Sequence, residues 1–254
     1  MCDTRPRPMR LPQELVDAII DCIGIPHGQV FAENGASKSR RARSDLKSLA
    51  LVSRACNHRA RSHLFATQTV YIHNSLDSFD RCPDVLLGYT RTLTIFQSCK
   101  VPLKALLILR RFVSSPLISI SLILLHFPEE LPEMLKLSFP NVRRIAVLSS
   151  LLSPSALLNL LSTLECVGEV RLRGCRLNRP IKRDDNLPSL PPLHGRLSIS
   201  DPHSTITGPL STIPLPLRSL TYTSRAFPPE KEIINACAGS LENLEVRMFV
   251  DWGQ

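Results

Sequence analysis

The stretch "VGEVRLRGCRL", from Val167 to Leu177, decides the fold of this chain. Apolar and charged residues alternate through it, with Val170 and Leu172 on one side of an extended segment and arginines on the other. A further apolar residue, Val167, precedes the alternation, and Cys175 and Leu177 follow it. The stretch therefore predicts a short strand and a tight turn, with the apolar side chains pointing into a core.

The same apolar spacing can be laid on the chain seven times, with steps of 27, 25, 25, 27, 23 and 24 residues between the middle members. These members are Leu93, Ile120, Ile145, Val170, Leu197, Leu220 and Leu244. Steps in the mid-twenties are typical of leucine-rich repeats. The segments 154–164 and 229–241 between copies are predicted as helices entered through proline. Residues 91–254 therefore predict an α/β solenoid with a curved parallel sheet, in which each repeat packs only against its neighbours. Either the few residues after the seventh copy cap the last repeat, or the coding sequence is shortened.

The chain ahead of the repeats is helical and basic. Apolar residues at a helical period predict a first helix from Leu11 to about Ile23, after a basic leader over residues 1–10. A polar loop is predicted over 24–43, and its basic run Lys38–Arg43 fits a solvated insertion better than a nuclear import signal or a phosphate-contacting patch. Two further helices, capped at Ser44 and bent near Cys56, complete a module that ends at residue 70, and 71–90 is predicted as a linker.

Composition limits the classes of function that fit. The net charge is +9, and residues 1–65 hold 11 Lys+Arg against 6 Asp+Glu, so this end either faces an acidic partner or is charged for solubility. Eight cysteines occur singly, and no signal peptide is evident, which indicates reduced thiols in a cytoplasmic or nuclear protein. The longest apolar run, Pro116–Phe127, is too short to span a bilayer. No phosphate-binding, metalloprotease or nucleophile-elbow motif is found, so we expect no enzyme, no metal and no cofactor.

The N-terminal segments resemble a known family. "LPQELVDAIIDCI", a variable loop and "DLKSLALVSRACNHRARSHLF", followed by degenerate leucine-rich repeats, are similar to F-box proteins of the fungal type. The resemblance implies a non-enzymatic substrate receptor of a cullin–RING ubiquitin ligase. In such a complex the F-box docks on a Skp-type adaptor, and through it on a cullin, while the repeats bind an unknown protein target.

Carried over by position, the resemblance implies which residues contact the adaptor. These are Leu11, Pro12, Leu15 and Ile19 from the first helix, and Leu49, Val52 and Cys56 from the second and third. The family usually has a large residue where this chain has Cys56, so contact worth on the order of 1 kcal/mol is expected to be missing.

The target-binding surface is predicted from strand geometry, because alternate residues of each strand point away from the core. Its distinctive members are an apolar group and a basic group: Phe96, Ile123, Leu148, Arg171, Arg173 and Arg247. Two alternatives stay open at this stage. A basic nucleic-acid-binding protein fits the net charge, although the aromatic content of 5% counts against it. A repeat scaffold with a decayed F-box fits the departure at Cys56.

Overall fold

The computed structural model describes residues 11–24, 35–72, 83–97, 103–124, 126–179, 190–200, 206–224 and 231–248. The chain divides into two compact units, Met1–Thr67 and Gln68–Gln254. The first contains three helices and the second a parallel sheet, so the protein is of the mixed α/β class. The predicted leader 1–10 and the predicted cap after the seventh copy, residues 249–254, lie outside the described residues.

Three helices form the first unit: α1 Gln13–Gly24, α2 Gly35–Leu49 and α3 Arg54–Leu64. Each contributes to a small apolar core made of Ile20, Leu46, Cys56 and Ala60. Partly buried side chains surround this core: Val16, Ile23, Leu49, Ala50 and Leu64. Leu46, Ala50 and Leu64 thus pack in one cluster with residues of α1.

Two boundaries in this unit correct the predictions. Helix α2 begins at Gly35, so the loop predicted over 24–43 is shorter, and Ser44 lies inside the helix instead of capping it. Alanine, lysine and arginine favour a helix here, and the segment contains no proline. The chain also breaks before the predicted bend, because the Ser53 hydroxyl accepts the N–H of Cys56 at 3.1 Å and caps α3. The rest of the predicted loop, residues 25–34, lies outside the described part of the chain.

An open sheet of eight strands forms the second unit, in the order β1-β2-β3-β4-β6-β8-β9-β10. The strands are β1 Thr67–Ile72, β2 Thr92–Gln97, β3 Ser119–Leu124, β4 Arg144–Leu148, β6 Glu169–Arg173, β8 Leu193–Ser200, β9 Leu217–Ser224 and β10 Asn243–Met248. Two short strands, β5 Leu151–Leu152 and β7 Arg176–Leu177, pair separately. From β2 to β10, neighbouring strands of this sheet run parallel, as the repeated pattern predicts.

Helices lie between successive strands. They are α4 Asp84–Leu87, α5 Leu103–Arg110, α6 Leu131–Ser138, α7 Pro154–Ser162, α8 Thr207–Ser211 and α9 Lys231–Cys237. Helix α7 starts as the sequence predicts, because Ser153 caps it and Pro154 occupies its first turn. The predicted linker 71–90 is wrong in part, since β1 runs through Ile72 and α4 lies within it. β-Branched and aromatic residues alternate in "TQTVYI", and Val70 and Ile72 are buried, which favours a strand.

The middle members of the repeated pattern lie side by side across the sheet. Val170 is paired with Ile145 on one side and Leu197 on the other, and the same register continues to Leu93 and Leu244 at the two ends. A shift of one residue would turn every apolar side chain toward solvent, so the apolar pattern determines the register. All of these residues except Leu244 belong to the continuous core beneath the sheet.

The turn after a strand is held by a side chain at a repeated position. The buried Cys175 thiol donates to the Val147 carbonyl at 3.2 Å. At the equivalent position of the preceding copy, the Ser150 hydroxyl accepts the N–H of Leu124 at 3.1 Å and donates to the Leu148 carbonyl at 3.0 Å. Each side chain therefore satisfies a backbone group of the strand before its own.

Candidate functional site

Helix α1 carries apolar side chains on two sides. Val16, Ile20 and Ile23 face the core of the first unit. Leu11, just before the helix, and Leu15 and Ile19 within it are exposed, with Leu11 at 64%. Their spacing of four residues places them along one stripe. The structure thus leaves three of the predicted adaptor residues available to a partner, and Pro12 is exposed beside them.

A second exposed apolar group lies in the turn between α2 and α3. Leu51 is 87% exposed and Val52 is 71% exposed. Their N–H groups donate to Ser48 and Leu49 carbonyls at 3.1 Å, and the Asn57 side chain donates to the Ala50 carbonyl at 2.8 Å. The turn is therefore held in place while it presents two apolar side chains to solvent.

Sequence reasoning selected Val52 from this turn but missed Leu51. The run "LALV" is apolar throughout, and a helical period cannot say which of its members faces solvent once the helix ends. No signal in the sequence distinguishes Leu51 from its neighbours.

The two remaining predicted adaptor residues lie elsewhere. Cys56 is only 6% exposed and belongs to the helical core, and Leu49 packs against that core. The Ser53 cap sets a new helical phase for α3, which turns Cys56 inward. Cys56 is therefore not a gap in an exposed surface, and a larger side chain there would have to enter the core.

Charged side chains join α1 to α3 beside this surface. Oδ1 of Asp21 accepts the Nε–H of Arg59 at 2.7 Å and lies 2.8 Å from His63 Nε2, while a second Arg59 nitrogen contacts Oδ2. Hydrogen bonds from Arg59, and then from His63, hold the pKa of Asp21 well below its ordinary value. The carboxylate is therefore charged at neutral pH and fixes the orientation of α1.

On the second unit, the face of the sheet opposite the core carries two rows of side chains, the first of them continuous across seven strands. One row runs from Thr94 through Ser121, Ala146, Arg171, Ser198 and Thr221 to Glu245. The pairs Phe96 with Ile123, Leu148 with Arg173, and Thr223 with Arg247 belong to the next row. All six residues predicted for target binding therefore lie on this face, none of them buried.

The face is apolar at the end formed by the first strands. The ring of Tyr71 on β1 lies 5.7 Å from that of Phe96 on β2, tilted by 45°. Ile123 on β3 and Leu148 on β4 extend the apolar part of this face, and both are half-buried. Tyr71 was missed because its strand precedes the first copy of the repeated pattern.

Arginines dominate the face on the middle strands. Arg171 holds the Glu169 carboxylate with two hydrogen bonds, of 2.7 and 3.0 Å, and Arg144 lies 3.7 Å from the same carboxylate. Beside them an open cleft of about 480 Å³ follows the edge where the strands begin. The residues that line it are Arg143, Arg144, Gly168, Glu169, His194, Arg196, Ser219 and Asn243.

The sequence contains a signal for Arg144 and Arg196, although neither was among the residues predicted for this face. Arg144 lies two residues before Ala146 and Arg196 two residues before Ser198, so alternation along each strand puts both arginines on the same face as that row. Arg247, at the sheet edge, is paired with Glu245 at 2.8 Å.

No family model matches the chain, and no curated protein matches it at a significant level of similarity. Within the described residues, no group of three or more histidine, cysteine or acidic side chains is placed to hold a metal ion. A search of the same residues finds no helix that is both long and apolar enough to cross a membrane.

Proposed function

We propose that this chain is an F-box protein with leucine-rich-repeat-like architecture, acting as the non-enzymatic substrate receptor of a cullin–RING ubiquitin ligase. The observation that carries the proposal is the double-sided α1, which fills the core with one apolar stripe and exposes the other, Leu11, Leu15 and Ile19. Contiguous exposed apolar side chains on a small soluble unit are typical of a protein-binding surface. The opening Leu-Pro-x-Glu-Leu motif, which supplies this stripe, is the part that resembles the F-box.

The exposed apolar side chains of this surface would offset the cost of binding a partner. About half of the surface of Leu15 and Ile19 is exposed, so burying the rest of each contributes about 0.8–1.5 kcal/mol. With Leu11, Leu51 and Val52 the total is on the order of 5–10 kcal/mol, which is comparable with the cost of association. Replacing one of these apolar residues with a charged one would remove its contribution and bury an unpaired charge at the interface. Such a substitution should weaken binding at least tenfold.

The second unit supplies the target-binding side of the proposed receptor. Its parallel strands present the exposed rows described above, and the aligned apolar members beneath them support the assignment of a repeat architecture. The apolar group on β1–β4 and the arginines on the middle strands β4, β6 and β8 give neighbouring parts of this face different chemistry.

Co-expression with a Skp-type adaptor tests the proposal. The wild-type chain should co-purify with the adaptor in a one-to-one complex, and Leu15→Asp and Val52→Asp should each abolish co-purification. Ser44→Asp adds the same charge at an exposed position of α2 and should leave the complex intact. Circular dichroism spectra of all variants should overlay. A wild-type chain that never retains the adaptor, or charged variants that retain it equally, would contradict the proposal.

A further inference from the structure

Charge on the middle strands of the sheet is unbalanced. Four arginines on β4, β6 and β8, named here the basic patch, lie on the exposed face: Arg144, Arg171, Arg173 and Arg196. Glu169 is the acidic residue that lies among these arginines on β4, β6 and β8. Arg171 and Arg144 already pair with it, and its side chain is 14% exposed. Among the described residues, the side chains of Arg173 and Arg196 form no hydrogen bond and no close ion pair. The pKa of the Glu245 carboxyl is lowered by a hydrogen bond from Arg247 and, more weakly, by the nearby charge of Arg196. The guanidinium groups of Arg173 and Arg196 therefore retain the capacity to bind an anionic partner.

The space beside the patch can accept a chain. The cleft of about 480 Å³ at the strand beginnings is walled by Arg144 and Arg196, which stand two strands apart. Gly168 lines it and contributes no side chain to it. Beyond the cleft, Ser198 and Ser200 on β8 have small side chains.

The apolar end lies at a distance that one peptide can cover. Neighbouring strands are about 4.8 Å apart, so the three steps from Phe96 on β2 to Arg173 on β6 span about 14 Å. An extended chain covers about 3.4 Å per residue, and about four residues bridge that distance. The whole sheet, from β1 to β10, corresponds to about ten extended residues.

We propose that the exposed face of the sheet binds an extended acidic peptide segment, whose carboxylates pair with the basic patch and whose apolar side chain packs near Phe96, about four residues away. The inference rests on the proposed function for the role of this segment, which is the recognition element of the target protein. Arginine binds a carboxylate through two parallel hydrogen bonds, as Arg171 already does with Glu169.

Two observations favour a peptide over a nucleic acid. Glu169 and Glu245 lie on the same face and would repel a continuous phosphate backbone. Bases stack best on aromatic side chains that are interleaved with basic ones. Here the aromatic pair Tyr71 and Phe96 lies at one end of the sheet, apart from the arginines.

Selection of a randomised ten-residue peptide library displayed on phage, with the full chain as bait, tests the inference. Aspartate and glutamate should be enriched, with an apolar residue about four positions away. Bait carrying Arg173→Gln with Arg196→Gln should lose the acidic enrichment. Bait carrying Arg110→Gln with Arg176→Gln removes the same charge from exposed positions off this face and should retain it. Enrichment without acidic residues, or equal enrichment with both double variants, would overturn the inference.

Fluorescence polarisation of a selected peptide adds a quantitative measurement. The dissociation constant should rise at least tenfold for the Arg173→Gln, Arg196→Gln chain, and it should also rise with salt concentration. A ten-nucleotide single-stranded RNA serves as the competing probe. If it binds more tightly than every selected peptide and is lost in the same variant, the face is a nucleic-acid site and the inference is wrong.

The outcome can be separated from that of the proposed function. The Arg173→Gln, Arg196→Gln chain should still retain the adaptor, because its substitutions lie in the second unit. Retention of the adaptor by a wild-type chain that selects no acidic peptide would overturn only this inference. Selection of acidic peptides by a chain that never retains the adaptor would overturn only the receptor function.

Discussion

Substituting Gly195 by alanine should destabilise the second unit strongly. Gly195 lies where the pairing of β8 with β9 shifts register, between Leu193 and Arg196. A Cβ atom built there would lie 2.3 Å from the Val167 carbonyl oxygen and 2.7 Å from a methyl carbon of Leu164. Ordinary contacts begin near 3.4 Å, so the backbone of β8 must move by about an ångström.

The cost of this movement can be estimated from the identity of the obstructing atoms. The nearest atom belongs to the backbone and cannot rotate away, so the cost should reach the upper end of the range for overpacking, about 3 kcal/mol. Gly168→Ala meets the Arg143 carbonyl at 3.2 Å, a small overlap that should cost about 1 kcal/mol. Gly239→Ala meets nothing within 4 Å and should change the free energy of unfolding by less than about 0.5 kcal/mol.

Urea denaturation followed by far-UV circular dichroism measures the series. With a slope of about 1–3 kcal/mol per molar urea, Gly195→Ala should lower the midpoint of the second unit by about 1 M or more. The first unit should unfold as in the wild type, which allows the two transitions to be fitted separately. Equal midpoints for Gly195→Ala and Gly239→Ala would refute the close approach of β8 to Val167 and with it the packing reasoning.

Three further predictions concern the two units. Ser150→Ala should cost about 1–3 kcal/mol in urea denaturation, because the buried N–H of Leu124 loses its acceptor, and a loss below 0.5 kcal/mol would contradict the turn geometry. Asp21→Asn should lower the unfolding midpoint of the first unit at pH 7. The folded-state pKa of Asp21 is depressed, so its contribution is present above its ordinary pKa and is lost as the pH falls through the folded value. The difference in unfolding midpoint between Asp21→Asn and wild type should therefore shrink in acid. A difference that stays constant with pH would contradict this role of the Asp21 carboxylate. In the native chain, mass spectrometry should find that iodoacetamide alkylates Cys22 rapidly and leaves Cys56 protected. Equal rates of alkylation would show that Cys56 is exposed, as the sequence had predicted.

The register of the sheet was predictable because one physical requirement is repeated. The central positions beneath this parallel sheet are filled by apolar side chains in successive copies, so the residues equivalent to Val170 align. Strand β1 was not predictable in this way. It lies at the sheet edge before the first copy, and its Val70 and Ile72 have no repeat partner to mark them.

Helical phase explains why the adaptor surface was predicted only in part. Within α1 the period is continuous, so the exposure of Leu15 and Ile19 follows from the spacing. Between α2 and α3 the turn at 50–53 resets the phase, and a period counted across it assigns Cys56 to the wrong side. The position of a turn depends on a cap such as Ser53, whose hydrogen bond is a property of the folded chain.

The exposed stripe of α1 follows from the size of the unit that carries it. At about 100° per residue, Leu15 and Ile20 point about 140° apart around the helix, so no single neighbour covers both. Helices α2 and α3 already pack on the Ile20 side through Leu46 and Ala60. A fourth element would be needed on the Leu15 side, and the described residues of this unit contain only three helices. Exposure of the stripe is thus a consequence of how three short helices pack, and a second protein supplies the fourth surface in the function proposed here.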